Sequence, residues 1–292
     1  MSSYTIPPAY AGKSAKEFLH REIGVSLTLW RKIKQQNEFY INEVQVSPGT
    51  AILQPGDILR YALGAESSIL PMKLPLCVCY EDAWILIANK PAGQLVHPTT
   101  KEHTGTLANA VLYHYKQQGL PLVYHPVHRL DKDTSGLVLI AKEPQIQHQL
   151  STSSQKLFHR CYQALIPGKM LPAEGSIAAP IGRKPGSIIE RMVDPDGQQA
   201  LTHYKTLRTN DRLSLLELTL ETGRTHQIRV HLAHTGHPLL GDDLYGGSLA
   251  LLGRQALHAC NLEFMHPVEK RLICVSCPLP SDMQEVLSFF SI

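Results

Sequence analysis

The spacing of apolar and polar positions predicts a small α/β unit over residues 12–63. Apolar residues recur at helical spacing in SAKEFLHREIG, and Gly24 stands where it could cap that helix. Ser26 could begin a second helix, LTLWRKIKQQ. A short strand, EFYINE, and a turn, QPGDILRYAL, complete the unit.

After a predicted linker at residues 64–74, the pattern over 75–292 is dominated by strands. The predicted strands are LCVCY, AWILIA, GLVLIAK, HRCYQALIPG, RLSLLELTLE and the pair ALHACNLEFMHP and RLICVSCP. The predicted helices are TLANAVLYHYKQQ, with Thr104 or Thr106 near its start, THQIRVHLAHTG, ending at Gly236, and DMQEVLSFF, with a capping-box spacing at Ser281 and Gln284. Many strands with few helices between them predict an α+β fold with a mixed, mainly antiparallel sheet.

Composition narrows the class of protein. A length of 292 residues, 43% hydrophobic and 18% charged, fits a globular enzyme of two domains. We expect no membrane span, because no apolar run reaches about 18 residues, and no secretory signal, because the N-terminus lacks a basic region followed by an apolar one. The six cysteines are scattered along the chain, which favours reduced thiols in the cytoplasm. The net charge of +3 permits an anionic partner without requiring one.

The sequence offers weak metal candidates. Phosphate-loop, dinucleotide, HExxH and GxSxG motifs are missing. The pairs Cys77-Val-Cys79 and Cys274-Val-Ser-Cys277 lie in apolar surroundings and favour strand or core cysteines over a zinc site. His226, His231, His234 and His237 form a cluster, but no acidic residue stands among them before Asp242. We therefore expect these histidines to be structural or to face RNA, and we expect no metal.

The segment HRLDKDTSG, residues 128–136, places charged groups directly before an apolar strand. Asp133 lies two residues before Ser135 and fits an Asx turn that leads into the strand. Asp131 has no evident structural task in the same turn. A turn residue, half of an ion pair and a reactive carboxylate all stay open for Asp131 on these residues alone.

Several motifs in the same order resemble the RluA family of pseudouridine synthases. They are YEDAWILIANKPAGQLVHP, HRLDKDTSGL, RCYQAL, TGRTHQIRVHLAHTGHPLLGDDLYG and RQALHACNLEFMHP. The resemblance covers roughly residues 74–280. Residues 12–63 look more loosely like the S4-type RNA-binding unit that many members carry in front of the catalytic domain.

The resemblance implies a role for individual residues. Asp131 corresponds to the catalytic aspartate, Arg229 to the arginine that pairs with it, and Tyr162 to the tyrosine that packs on the uracil. Arg129 is placed to fill the space of an extruded base, and Leu257 to pack near the pocket. The chain departs from many members at Arg160, where they carry lysine, and this exchange keeps the charge but not the geometry.

The implied reaction isomerises uridine in structured RNA to pseudouridine, with no cofactor. A carboxylate could act as a nucleophile at C1′ or as a base at C2′, and both stay open. Large-subunit ribosomal RNA is the favoured target and tRNA the second, with a monomeric enzyme expected. A non-catalytic RNA-binding protein that works through Arg31, Lys32 and Lys34 is the alternative, although these cations could equally form a solvated helix face. A metal-dependent hydrolase built on the histidines is a third hypothesis.

Overall fold

The computed structural model describes residues 2–36, 38–61, 68–152 and 158–292, and these form a mixed α+β protein. The helices are α1 Ala15–Arg21, α2 Leu27–Gln35, α3 Leu107–Gln117, α4 Pro144–Thr152, α5 Gln227–His234 and α6 Ser281–Phe289. The strands are β1 Ser2–Thr5, β2 Phe39–Ile41, β3 Val44–Gln45, β4 Ile58–Tyr61, β5 Cys77–Glu81, β6 Ile85–Lys90, β7 His125–Pro126, β8 Ser135–Ala141, β9 Phe158–Pro167, β10 Glu174–Ala178, β11 Ile181–Arg183, β12 Arg191–Val193, β13 Leu201–Thr209, β14 Leu213–Leu220, β15 Leu257–Met265 and β16 Leu272–Ser276.

The N-terminal part packs α1 and α2 on a four-stranded sheet of order β1-β4-β2-β3. Both helices begin at serine caps, because the hydroxyl of Ser14 accepts from the N–H of Glu17 and that of Ser26 accepts from the N–H of Leu29. The sheet also includes β1, which precedes residue 12, where the unit was predicted to begin. A separate apolar core, which includes Phe18 buried at the helix–sheet contact, holds this part together.

The remaining strands form one large sheet of order β10-β13-β14-β9-β15-β8-β6-β5, with β16 added to β15 and β7 to β8, and a separate β11–β12 hairpin. The pair β15–β8 is parallel, and the other strand pairs of the described residues are antiparallel. This topology confirms the predicted α+β class with a mainly antiparallel sheet.

Helices cover both faces of the large sheet, which explains the continuous apolar run of β8. Val138 and Ile140 face a core shared with α3 and α5. Leu137 and Leu139 face a second core shared with α4. A strand buried on both faces needs apolar residues at every position rather than at alternate ones, and all of β8 is buried accordingly.

Three local predictions need correction. The capping box at Ser281 and Gln284 is wrong: α6 begins one residue earlier than a Ser281 cap requires, since the N–H groups of Met283 and Gln284 donate to the carbonyl of Pro280. Likewise Gly24 does not cap α1, which ends at Arg21 with Glu22 as its C-cap. The predicted turn QPGDILRYAL contains β4, which lies between β1 and β2.

Other predictions are confirmed by the structure. Thr106 is the N-cap of α3, with its N–H and hydroxyl both donating to Oδ1 of Asn109. Helix α5 ends just before Gly236, which takes a left-handed conformation with φ of 81°. Of the predicted linker 64–74, residues 64–67 lie outside the described residues, and the N–H of Met72 donates to the carbonyl of Asn109 in α3. In the described part of the chain, no helix has the length and apolar character that a bilayer crossing requires.

Candidate active site

The turn that carries Asp131 is closed by the backbone. The N–H of Thr134 donates to the carbonyl of Asp131 at 3.2 Å, and β8 begins at the next residue. In the described residues the Asp133 carboxylate makes no hydrogen bond, so the Asx turn predicted for Asp133 is not formed. At Gly136 the chain adopts φ of 113°, with the backbone of Ala259 occupying the space of a Cβ. This close approach seats the turn against β15.

Two side chains, the buried Lys90 and the partly buried His128, support this turn. Lys90 donates three hydrogen bonds from Nζ to carbonyl oxygens, among them that of Lys132 at 2.9 Å. Burial lowers the pKa of Lys90 to about 7, opposed by the charges of Asp133 and Asp131. His128 accepts the N–H of Leu139 at Nε2, and burial lowers its pKa to about 3. A neutral histidine therefore joins the Asp131 loop to the middle of β8.

Helix α5 brings Arg229 to Asp131 from the other side of the site. Nη1 of Arg229 donates to Oδ2 of Asp131 at 3.1 Å. The Nε and Nη2 groups of the same guanidinium donate to Asp242 at 2.7 and 2.8 Å. Burial pulls the pKa of Arg229 down, but Asp242 and Asp131 outweigh it and raise the pKa above its usual value. The guanidinium is thus a fixed cation that holds the Asp131 carboxylate.

The helix itself is anchored by buried polar residues, Gln227 at its start and His231 in its last turn. Gln227 accepts the N–H of Arg224 at Oε1, and its Nε2 donates to the carbonyl of Leu201 in β13. His231 uses both ring nitrogens, with Nδ1 on the hydroxyl of Thr202 and Nε2 on the carbonyl of Ala179. These contacts fix the rotation of α5, so that Arg229 points at Asp131.

An open cleft beside Asp131 is lined by Arg129, Tyr162, Arg229 and Leu257. Five of the residues singled out in the sequence thus meet at one place, although they come from four separate segments of the chain. Tyr162 and Leu257 are buried in its floor, and Arg129 is exposed at its edge. Burial raises the pKa of Tyr162, which keeps its phenol neutral.

Other residues line the cleft besides these five. Of these, His226 was expected from the sequence to be structural or to face RNA, and Arg160 was noted only as a departure from the family. Arg160 stands beside Tyr162, with its Cζ 5.5 Å from the ring centre of Phe158, and it lines the cleft directly. His226 and Arg224 line the opposite wall. Asp242 and Tyr245 lie behind Arg229, whose Cζ is 5.0 Å from the centre of the Tyr245 ring. The motif GDDLYG contains both, but only the folded chain shows which of its two aspartates meets Arg229.

The basic side chains of α2 lie elsewhere. Arg31, Lys32 and Lys34 are exposed on the N-terminal unit and do not line the cleft. Lys32 is close enough to His125 of β7 to help burial lower the pKa of that histidine to about 4. Lys32 therefore stands near the boundary between the N-terminal unit and the large sheet.

The metal candidates of the sequence do not come together as ligand sets. His226 belongs to the cleft, whereas both ring nitrogens of His231 are committed to protein partners. Among the described residues, one group of side chains could hold an ion: Asp82, His266 and Glu269. Both nitrogens of His266 are also engaged, with Nε2 on Asp82 and Nδ1 on the N–H groups of Val268 and Glu269. The cysteines are free thiols.

Comparisons with known proteins agree on one family. Residues 84–234 match the family model described as RNA pseudouridylate synthase. The chain is 42% identical over 272 residues to a Bacillus subtilis protein named as an uncharacterized RNA pseudouridine synthase, covering 91% of this chain and 95% of that protein. It is 39% identical to ribosomal large subunit pseudouridine synthase D of Xanthomonas campestris, covering 83% and 82% of the two chains. The structure of human RNA pseudouridylate synthase domain containing 4 has the same fold, with a TM-score of 0.60 and 24% identity over 73% of this chain and 92% of that one.

Proposed function

The chain belongs to the RNA pseudouridylate synthase family, and on this premise we propose that Asp131 is its catalytic residue and that large-subunit ribosomal RNA is its substrate. The observation that carries the proposal is the contact of Asp131 with Arg229, 3.1 Å apart across 98 residues of sequence. This contact places a guanidinium cation against a carboxylate at the edge of a cleft lined by Tyr162.

The proposed chemistry uses the carboxylate and no redox step. The N1–C1′ bond of uridine breaks with its electron pair on the base, the uracil turns, and C5 bonds to C1′. The hydrogen of C5 is then lost and N1 gains a proton, so that the product is an isomer. Asp131 acts on the ribose in one of two ways: it adds to C1′ and leaves again as C5 bonds there, or it removes the C2′ proton and returns it as C5 bonds to C1′.

The uridine has to leave the base stack before it can enter the cleft, and this extrusion costs free energy. Unstacking a base costs a few kcal/mol, and stacking on an aromatic ring returns about 1–3 kcal/mol. Tyr162 supplies the ring at the floor of the cleft. We assign Arg129, exposed at the rim, to fill the space that the base leaves, and Leu257 to pack against the bound base.

Two observations support the proposed RNA target. Relatives named ribosomal large subunit pseudouridine synthase D reach 39% and 40% identity over most of this chain. The N-terminal unit, residues 12–63, carries the exposed cations Arg31, Lys32 and Lys34 on α2, and we assign it an S4-like role in binding structured RNA by its backbone. On this proposal the enzyme acts in the cytoplasm as a monomer, with tRNA as the second substrate class to be tested.

Tritium release from RNA carrying 5-tritiated uridine tests the catalytic assignment. Loss of the C5 hydrogen is expected with the wild-type protein and not with Asp131→Asn. Asp133→Asn is the matched control. It removes a carboxylate from the same turn, but in the described residues this carboxylate makes no hydrogen bond. Full activity of Asp131→Asn, or equal losses in both variants, would refute the assignment.

A further inference from the structure

His226 has an unusual position for a residue next to a helix. It is the N-cap of α5 and adopts a left-handed backbone, with φ of 58° and ψ of 19°. This conformation turns the imidazole into the cleft, where Nε2 lies 3.8 Å from Oδ2 of Asp131. A left-handed non-glycine residue costs free energy and is retained where the surrounding structure holds it.

The partners of His226 favour one of its two neutral tautomers. The hydroxyl of Tyr245 accepts the N–H of Arg191 at 3.0 Å, so its own proton is available to donate. Nδ1 of His226 lies 2.7 Å from that hydroxyl, and we assign the hydroxyl as the donor and Nδ1 as the acceptor. A neutral imidazole whose Nδ1 is an acceptor carries its hydrogen on Nε2, and this is the nitrogen that faces Asp131.

The charges around the ring favour the neutral form. Burial lowers the pKa of His226, and the nearby cations Arg229 and Arg191 act in the same direction. Asp131 and Asp242 oppose this effect without reversing it. A neutral His226 that carries its hydrogen on Nε2 can therefore donate a hydrogen bond to Asp131.

Both groups that approach Asp131 address the same oxygen. Nη1 of Arg229 and Nε2 of His226 are both directed at Oδ2. In the described part of the chain, no hydrogen bond is donated to Oδ1. The two oxygens of the carboxylate are thus unequal before any substrate is present.

We infer that His226, neutral and protonated on Nε2, is a positioning residue that holds Oδ2 of Asp131 together with Arg229 and leaves Oδ1 as the oxygen that meets the ribose. The inference rests on the proposed role of Asp131. The separation of 3.8 Å exceeds a hydrogen bond, and it is expected to shorten when uridine fills the cleft, as catalytic hydrogen bonds of unliganded enzymes commonly do.

Two amide variants separate this role from a purely structural one. In His226→Asn, the amide oxygen replaces Nδ1 as the partner of Tyr245, and asparagine tolerates the left-handed backbone, but the donor to Asp131 is lost. In His226→Gln, the amide N–H replaces Nε2–H, but glutamine suits the backbone less well. We expect His226→Asn to be the more stable variant in thermal unfolding and His226→Gln the more active one.

The activity difference is measured as tritium release. One hydrogen bond to a charged group corresponds to a change of about 10–100-fold, and we expect His226→Asn to lose this factor in kcat with little change in KM. His226→Gln should keep kcat within about tenfold of the wild type on the same scale. If activity instead follows stability, with His226→Asn the better enzyme, His226 is structural and the inference is wrong.

A second readout does not depend on activity. Two-bond ¹H–¹⁵N correlations distinguish the two neutral tautomers and the cation, and the spectrum of His226→Asn identifies the signal by its disappearance. The Nε2–H tautomer is expected, and Tyr245→Phe, which keeps the ring beside Arg229 but removes the hydroxyl, should abolish the preference. An Nδ1–H or cationic His226 overturns the inference alone, whereas full activity of Asp131→Asn overturns the proposed function.

Discussion

Removing the carboxylate of Asp242 tests whether a buried ion pair holds the site together. Its side chain is 0% exposed and Arg229 is 8% exposed. Two hydrogen bonds of 2.7 and 2.8 Å join them. In Asp242→Ala the Nε and Nη2 donors of the guanidinium would lose their partners in a largely buried place. Breaking a buried pair by removing one partner typically costs about 3–5 kcal/mol, and we expect a loss of that size in the free energy of unfolding.

A second arginine–aspartate pair in the chain differs from Arg229–Asp242 mainly in its exposure to solvent. Arg254 contacts Asp282 with the same two-pronged geometry, at 2.7 and 2.9 Å. However, Asp282 is 38% exposed. Exposed pairs contribute about 0–1 kcal/mol, so Asp282→Ala should cost far less than Asp242→Ala.

Urea unfolding followed by circular dichroism measures both losses, and tritium release measures the effect on catalysis. Asp242→Ala should also reduce kcat, because Arg229 would lose the partner that orients it towards Asp131. Asp282→Ala should retain its activity. Similar stability losses in the two variants would show that burial does not decide the strength of these pairs, and an unaltered kcat in Asp242→Ala would refute the argument that Asp242 orients Arg229.

Three further outcomes are expected. Tyr162→Phe keeps the aromatic ring and should lose less kcat/KM in tritium release than Tyr162→Leu, which forfeits stacking worth about 1–3 kcal/mol; equal losses would assign the role to the hydroxyl. Gly136→Ala should lower the free energy of unfolding by more than about 1 kcal/mol, since the backbone of Ala259 fills the space of a Cβ, and an unchanged urea midpoint would contradict this. Burial lowers the pKa of His128 to about 3 and of His258 to about 4, whereas unfolded histidine titrates near 6.5. Below the pKa of the free histidine, the unfolded chain takes up protons that the folded chain does not. The free energy of unfolding should therefore be highest above about pH 6.5 and fall towards pH 4, and a free energy that stays constant over this range in urea titrations would refute this argument.

Local sequence patterns predicted the elements that depend on neighbouring residues. Ser26 and Thr106 begin helices as expected, because a cap needs only the first turn that follows it. The same reasoning failed at Ser281, where Pro280 accepts the first N–H groups and starts the helix earlier. Helix α4 was not predicted, since its short polar sequence resembles a loop until Ile146 and Leu150 pack against β8.

The site was accessible from the sequence only in part. The resemblance indicated Asp131 and Arg229, which the fold brings together. It assigned no role to Asp242, Tyr245 or His226, because their contacts depend on how the loop after α5 folds back on the helix and on the approach of Asp131, which no local spacing encodes. An inward-facing arginine in an apolar helix needs a buried acid, and that physical requirement is the signal that could have directed attention to the aspartates of GDDLYG.

The most direct test of the central claim is a map of pseudouridines in ribosomal and transfer RNA from cells that lack this protein. We predict that specific uridines of large-subunit ribosomal RNA lose their modification, and that wild-type protein restores them while Asp131→Asn does not. An unchanged map, lost sites confined to tRNA, or full restoration by Asp131→Asn would contradict the account.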